Sequence, residues 1–324
     1  MKTFKCEKIK RYENDILERW TLINGDFELD CLNYGATWYD WRYLYESLLY
    51  RLPKITDYVG NPYHVGHTIG RVAGRLADGK FTLDGVQYVL PANNGPNVLH
   101  STSIKGFDDY FWQAEVLEDD DKIGLRFFQQ IMNDGFPGRL AAEVIYTLTE
   151  QGEVEIKYQG QSDMDTLFNP TTHVYFNLEQ NQAFNEIQLQ IDSKQRLEVD
   201  ENKLPTGILA ENKGCYDFTQ SRNLREMLIK HPLGEIDDSF VMQNDGLVRL
   251  SCQNKQIVIK SDRNCAVVFT ANPEENLTKG QKNALAIEMQ TLPDAINHQN
   301  FGDIILSAGE VKSYTTLFKF NKLT

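Results

Sequence analysis

Two histidines and one glutamate stand in sequence settings that packing alone does not require. Residues 91–100 (PANNGPNVLH) are rich in turn formers and deliver His100 directly after a short apolar pair. Loops held on a rigid sheet are where binding residues concentrate. Residues 168–177 (FNPTTHVYFN) open a strand with a proline-led turn. Alternation there places His173, Tyr175 and Asn177 on one face and Val174 and Phe176 on the other, which predicts a polar wall lining a cleft. Glu288 interrupts an apolar run, Ala284-Leu-Ala-Ile-Glu-Met289, and an ionised carboxylate in a buried strand is costly unless it is paired or faces a polar cavity. The pattern sets Glu288 opposite Leu285 and Ile287, so a solvent-facing position and a cavity wall both satisfy it. Imidazole and carboxyl groups are the usual proton carriers of acid–base chemistry.

The remaining candidates have plainer readings. A lone histidine in a β protein is ordinarily a hydrogen-bonded structural residue; two in segments of this kind weigh against that. His64 and His67 lie three apart in residues 63–70 (YHVGHTIG), and without a carboxylate partner this spacing does not make a metal site. His231, before Pro232, and His298 read as surface-loop residues. Arg75 is flanked by small residues in 70–76 (GRVAGRL), which would let a ligand approach closely; a salt bridge to one of the many acids is the alternative.

The elements that must position these groups are strands. Apolar residues recur with period two in short runs, among them residues 20–23, 80–83, 87–90, 123–127, 142–148, 154–158, 187–191, 257–259, 266–270 and 311–320. This is the signature of half-buried antiparallel strands. Turn residues separate them, including Asp84-Gly85, Asn133-Asp-Gly135, Gln151-Gly152, Asn244-Asp-Gly246 and Ala308-Gly309. Residues 221–230 (SRNLREMLIK) predict a helix of about three turns with Leu224, Met227 and Leu228 on one side. The acidic run 118–121 reads as a solvated turn, whereas 235–238 leads straight into a strand pattern. The expected fold is all-β, a large antiparallel β-sandwich with one or two short helices, because sheet-on-sheet packing buries so many amphipathic strands. With no linker and no fixed-period repeat, residues 1–324 read as a single domain.

Composition narrows the function classes. The 324 residues are 41% hydrophobic and 24% charged, enough for a sizeable core without disulfide or metal staples. Acids outnumber bases to give a net charge of −13, with no clustered basic face, which argues against nucleic acid as a partner. No apolar run reaches the ~18 to 20 residues of a membrane span, and residues 1–10 lack a signal-peptide core. The five cysteines are scattered and never form C-x-x-C, consistent with reduced thiols in the cytoplasm. The sequence also lacks a glycine-rich nucleotide loop.

Five segments in this order resemble the aldose 1-epimerase (galactose mutarotase) family: residues 70–85 (GRVAGRLADGKFTLDG), 91–100, 169–178 (NPTTHVYFNL), 236–241 (IDDSFV) and 286–290 (AIEMQ) with Pro293-Asp294 close behind. Residues 302–310 (GDIILSAGE) resemble the family's closing segment. The resemblance implies a galactose mutarotase-like supersandwich and interconversion of the α and β anomers of a free aldose such as galactose or glucose. It implies Glu288 as catalytic base, His173 as general acid and His100 as a second active-site histidine, with Arg75 and Asp237 binding sugar hydroxyls. Asp237 is preferred to Asp238 by its spacing from Phe240. Asn94, from the turn-rich loop, and Tyr175, from the polar face, complete the expected binding set. Opening a cyclic hemiacetal takes a base at the anomeric hydroxyl and an acid at the ring oxygen, so neither cofactor nor metal is expected. The expected partner is a small-molecule sugar, with the chain a monomer or homodimer.

One departure stands out: the family commonly follows its first histidine with two glycines, where this chain has Ser101 and Thr102. Their side chains are expected to narrow the approach to His100 or alter the loop. A hexose-phosphate epimerase would need a basic patch, for which Arg71 and Arg75 are too few. Other readings are a sugar-binding or regulatory protein of the same fold, an epimerase for a modified or disaccharide sugar, and a hydrolase or lyase in which Asp237 and Glu288 flank a bond.

Overall fold

In the computed structural model, which describes residues 2–243 and 246–323, the alternating segments become strands of large antiparallel sheets. The turn expected at Asn244-Asp-Gly246 falls at its first two positions outside the described residues. The largest sheet runs, edge to edge, Gln113–Glu118, Lys122–Ile131, Leu140–Thr149, Glu153–Ser162, Val311–Lys322, Lys255–Ser261, Leu247–Cys252, Gln188–Ile191 and Arg222–Asn223. The C-terminal strand sits in its middle, pairing Tyr158 with Tyr314 on one side and Ile259 with Phe318 on the other. A six-stranded sheet packs against it, in the order Tyr175–Phe176, Ala284–Gln290, Cys265–Ala271, Asp237–Val241, Gln195–Val199 and Pro205–Glu211. A five-stranded sheet from Lys2–Tyr12 to Glu46–Ser47 joins the same core through Leu22, Leu29, Trp38 and Trp41.

Alternation decides which side chains make that core. Phe240, Val268, Ile287 and Phe176 of the six-stranded sheet meet Tyr146, Ile156, Ile257 and Phe318 of the nine-stranded one. The rings of Phe176 and Phe318 lie 6.0 Å apart, and Trp38 meets Phe318 edge-on at 4.9 Å. Each such side chain contributes roughly 1.5–3 kcal/mol by leaving water. The fold is the all-β antiparallel sandwich expected from period-two patterning.

The helix is shorter than its pattern. It spans Leu224–Lys230 and buries Leu224, Met227 and Leu228 as predicted, but residues 222–223 pair with Gln188 and Leu189 as a strand. Asn223 ends that strand and caps the helix, its side chain accepting from the Glu226 N–H. His231 closes the helix and is buried against Tyr216, ring centroids 5.1 Å apart, so it is no surface-loop residue. His298 is half-buried, stacked on Phe301 at 4.6 Å and 3.3 Å from the Asp294 carboxylate. No helix of the described residues is long and apolar enough to cross a membrane.

Candidate active site

The six-stranded sheet has two working faces. Its register aligns Tyr175, Ala286, Phe269 and Asp237 across four strands, and Glu288, Val267 and Ser239 one pleat further on. Directly paired residues share a face, so these side chains all stand opposite the core face of Phe176, Ile287, Val268 and Phe240. Loops cover the outer face, so the Ala284–Gln290 strand is buried on both sides. Glu288, 2% exposed, is therefore a cavity-wall residue and not a solvent-facing one. The cavity measures about 260 Å³, just below the ~300–1,000 Å³ range of small-molecule pockets.

Glu288 and His173 meet inside it: His173 Nε2 lies 3.4 Å from Glu288 Oε1. His173 is held by its backbone, donating to the His67 carbonyl at 2.8 Å and accepting from the Gly66 N–H at 2.9 Å. Its ring packs 5.0 Å from that of Tyr175, whose hydroxyl donates to the Tyr63 carbonyl at 3.1 Å. Burial, with Asp237 nearby, pushes the Glu288 carboxyl up to about 8. Burial, with His64 and His67 nearby, pushes His173 down to about 3. Both shifts penalise the ions, which favours the proton on the carboxyl beside a neutral imidazole.

His100 reaches the cavity from its loop, 5.4 Å from His173 between ring centroids. Its Nδ1 accepts from the Gly74 N–H at 3.3 Å, which leaves the hydrogen on Nε2. Gly74 has φ +76°, and a Cβ there would meet Gln290 and Pro293 at 3.1 Å, so glycine lets the backbone come this close. His100 and Ser101 also lie at positive φ, +56° and +87°. Asn93 braces them, donating to the Leu99 and Ser101 carbonyls and accepting from the Leu99 N–H. Ser101 and Thr102 do not narrow the approach to His100. Both are buried behind the loop, with Thr102 bonded to the Asp134 carbonyl and neither lining the cavity.

The other expected residues divide. Asp237 and Asp238 both line the cavity, Asp237 paired with Lys203 at 3.1 Å and Asp238 3.6 Å from Arg196. Arg75 lines the cavity, and its Nε donates to Asn94 Oδ1 at 3.4 Å. Asn94 stands behind Arg75, not on the wall. Asn177 leaves the polar face altogether: it is buried and donates to the Gln182 and Asn283 carbonyls, because the strand ends at Phe176. Arg71 is spent within the fold, fully buried against Asp134 at 2.6 and 2.9 Å.

Sequence reasoning missed His64. The carboxylate partner absent from its sequence neighbourhood is Asp108, whose Oδ2 accepts from His64 Nδ1 at 2.8 Å, and His64 lines the cavity. Two groups of described residues bring metal-ligating side chains within 4.8 Å of one another, His64 with His67 and Asp108, and His100 with His173 and Glu288. Nothing in the local pattern signalled Asp108, nor Lys203 on the Gln195–Val199 to Pro205–Glu211 hairpin.

The profile of the family described as Aldose 1-epimerase matches residues 18–319. A maltose epimerase of Levilactobacillus brevis is 36% identical over 309 residues, covering 90% of this chain and 91% of its own. An aldose 1-epimerase of Streptococcus thermophilus is 31% identical, covering 97% of each. The crystal structure of a galactose 1-epimerase from Lactobacillus acidophilus superposes with a TM-score of 0.91 over 100% of both chains, at 26% identity. With the family profile matching residues 18–319 and relatives at 36% and 31% identity aligned along 90% or more of its length, the chain belongs to the aldose 1-epimerase family, isomerases that act on carbohydrates.

Proposed function

We propose that this enzyme interconverts the α and β anomers of a free hexopyranose of the galactose or glucose type by acid–base ring opening and reclosure. Glu288 takes the proton of the anomeric hydroxyl, and His173 gives one to the ring oxygen as the bond from that oxygen to C1 breaks. The open aldehyde turns about its C1–C2 bond, the freed hydroxyl attacks the other face, and both protons return. Protons and atoms balance over the cycle, and no electron sink is needed. The observation that carries this reading is the 3.4 Å approach of His173 Nε2 to Glu288 Oε1 inside the cavity. The proton that burial leaves on Glu288 reaches His173 by one transfer within the pair, which yields the carboxylate base and imidazolium acid together. His100 presents an N–H to a sugar oxygen nearby, Asp237, Arg75 and Tyr175 hold the sugar, and Asn94 acts through Arg75.

Polarimetry tests this. Freshly dissolved α-galactose and α-glucose should relax faster with enzyme than without. If sugar binds calorimetrically yet no aldose is accelerated, the protein is a binder of the same fold.

A second reading is a reducing disaccharide as substrate, and two observations favour it: the relative named maltose epimerase, and a cavity bounded by Val199, Lys203 and Pro205 of an outlying hairpin. A kcat/KM for maltose above that for glucose would select it. We also take the chain to be a single domain acting in the cytoplasm as monomer or homodimer; all five cysteines are free. Light scattering reads the assembly.

A further inference from the structure

Three imidazoles, not two, face the cavity. His64 is set in the left-handed region at φ +50°, and its ring centroid lies 5.4 Å from His100 and 6.0 Å from His173. Its side chain is 28% exposed, whereas that of Asp108 is 11% exposed and turned inward. The buried carboxylate takes the hydrogen on Nδ1, and in that tautomer Nε2 is the acceptor. His100 has the opposite arrangement, since the Gly74 N–H occupies its Nδ1 and puts the hydrogen on Nε2.

One donor and one acceptor therefore stand on neighbouring rings of one wall. A hydroxyl group is the ligand chemistry that satisfies both, accepting from His100 and donating to His64. An apolar group would satisfy neither, and an anion would meet a lone pair at His64.

We propose that His64, oriented by Asp108, is a further substrate-binding residue that accepts a hydrogen bond from one sugar hydroxyl which also accepts from His100. This rests on the sugar-site reading above. The role is in affinity and hydroxyl recognition, distinct from the proton transfers assigned to Glu288 and His173.

The test is mutarotation kinetics on a panel of monodeoxy sugars with the wild type, His64→Asn and His64→Gln. Asparagine tolerates positive φ. The expected result is a KM raised about five- to tenfold on the parent sugar, the effect of one lost hydrogen bond, with kcat within twofold. The rise should vanish for the single deoxy sugar that lacks the contacted hydroxyl. An unchanged KM, a loss confined to kcat, or an equal KM penalty on every sugar overturns the proposal, the last because it marks a merely structural role. Wild-type protein labelled with 15N-histidine gives a readout independent of the variants. One imidazole must carry its hydrogen on Nδ1, and its bare Nε2 signal must move when sugar is added; if that signal stays still, the proposal fails. A wild type that accelerates no sugar fails the sugar-site reading instead, so the two failures are distinguishable.

Discussion

The Glu288 carboxyl and the His173 imidazole lie 3.4 Å apart, Glu288 on a strand buried on both faces and His173 on the link between strands Thr171–Thr172 and Tyr175–Phe176, pinned by the His67 and Gly66 peptides. Neither group has a second side-chain partner: Glu288 Oε2 and His173 Nδ1 find none among the described residues. The pair is left free to act on what enters the cavity.

Replacing Glu288 by Gln keeps shape and burial but removes the proton acceptor. Mutarotation followed by polarimetry should fall ~10²–10⁴-fold, the usual weight of general acid–base catalysis. Circular dichroism should be unchanged and calorimetric sugar affinity nearly so. Activity within tenfold of wild type would contradict the role.

The same variant should change the pH dependence of stability. Burial pushes the Glu288 carboxyl up to about 8 in the folded chain, above its ordinary 4.5. Between these values the unfolded chain gives up a proton that the folded chain keeps, so the raised value stabilises the fold fully below about 4.5 and this contribution is lost as pH rises towards 8. Glutamine has no such loss. Urea melts should show Glu288→Gln gaining on wild type from pH 4.5 to 8, by a few kcal/mol at the upper end, with the gap constant above that. A gap that narrows with pH would refute the assignment.

Arg71 has 0% exposure and depends on Asp134 for a two-pronged contact. Asp134→Ala strands a buried guanidinium, and denaturation should show a loss of roughly 3–5 kcal/mol. A loss below about 1 kcal/mol would mean that the Thr166 hydroxyl and the Pro137 and Gly138 carbonyls suffice for Arg71.

Ser101 sits at φ +87° with its hydroxyl buried and without a partner among the described residues. Ser101→Gly removes both costs and should stabilise the fold by about 1 kcal/mol or more, read as a higher Tm. The residue lies behind the loop, so kcat/KM should stay within twofold.

What the sequence disclosed follows from the length scale of each signal. Period-two alternation is local, so strands such as Lys80–Leu83 and Val311–Lys322 were legible, and so were the two faces around Ile287 and Glu288. Whether the outer face met water or a cavity depended on loops from distant parts of the chain, and local alternation carries no such information. Asn177 was assigned to the cleft because alternation was extended past Phe176, where the strand stops. Arg222 and Asn223 fit a helical pattern yet were claimed by strand pairing. His64 was set aside because its partner Asp108 comes from another loop, a contact that spacing within one segment cannot reveal.

The two-faced Ala284–Gln290 strand ties correct assembly to competence. A slip of one residue against the Cys265–Ala271 strand would turn Ile287 towards the cavity and drive Glu288 into hydrocarbon. Mispaired chains would thus be strongly penalised, so the carboxyl proposed as the base also enforces the one alignment that brings it to the cavity.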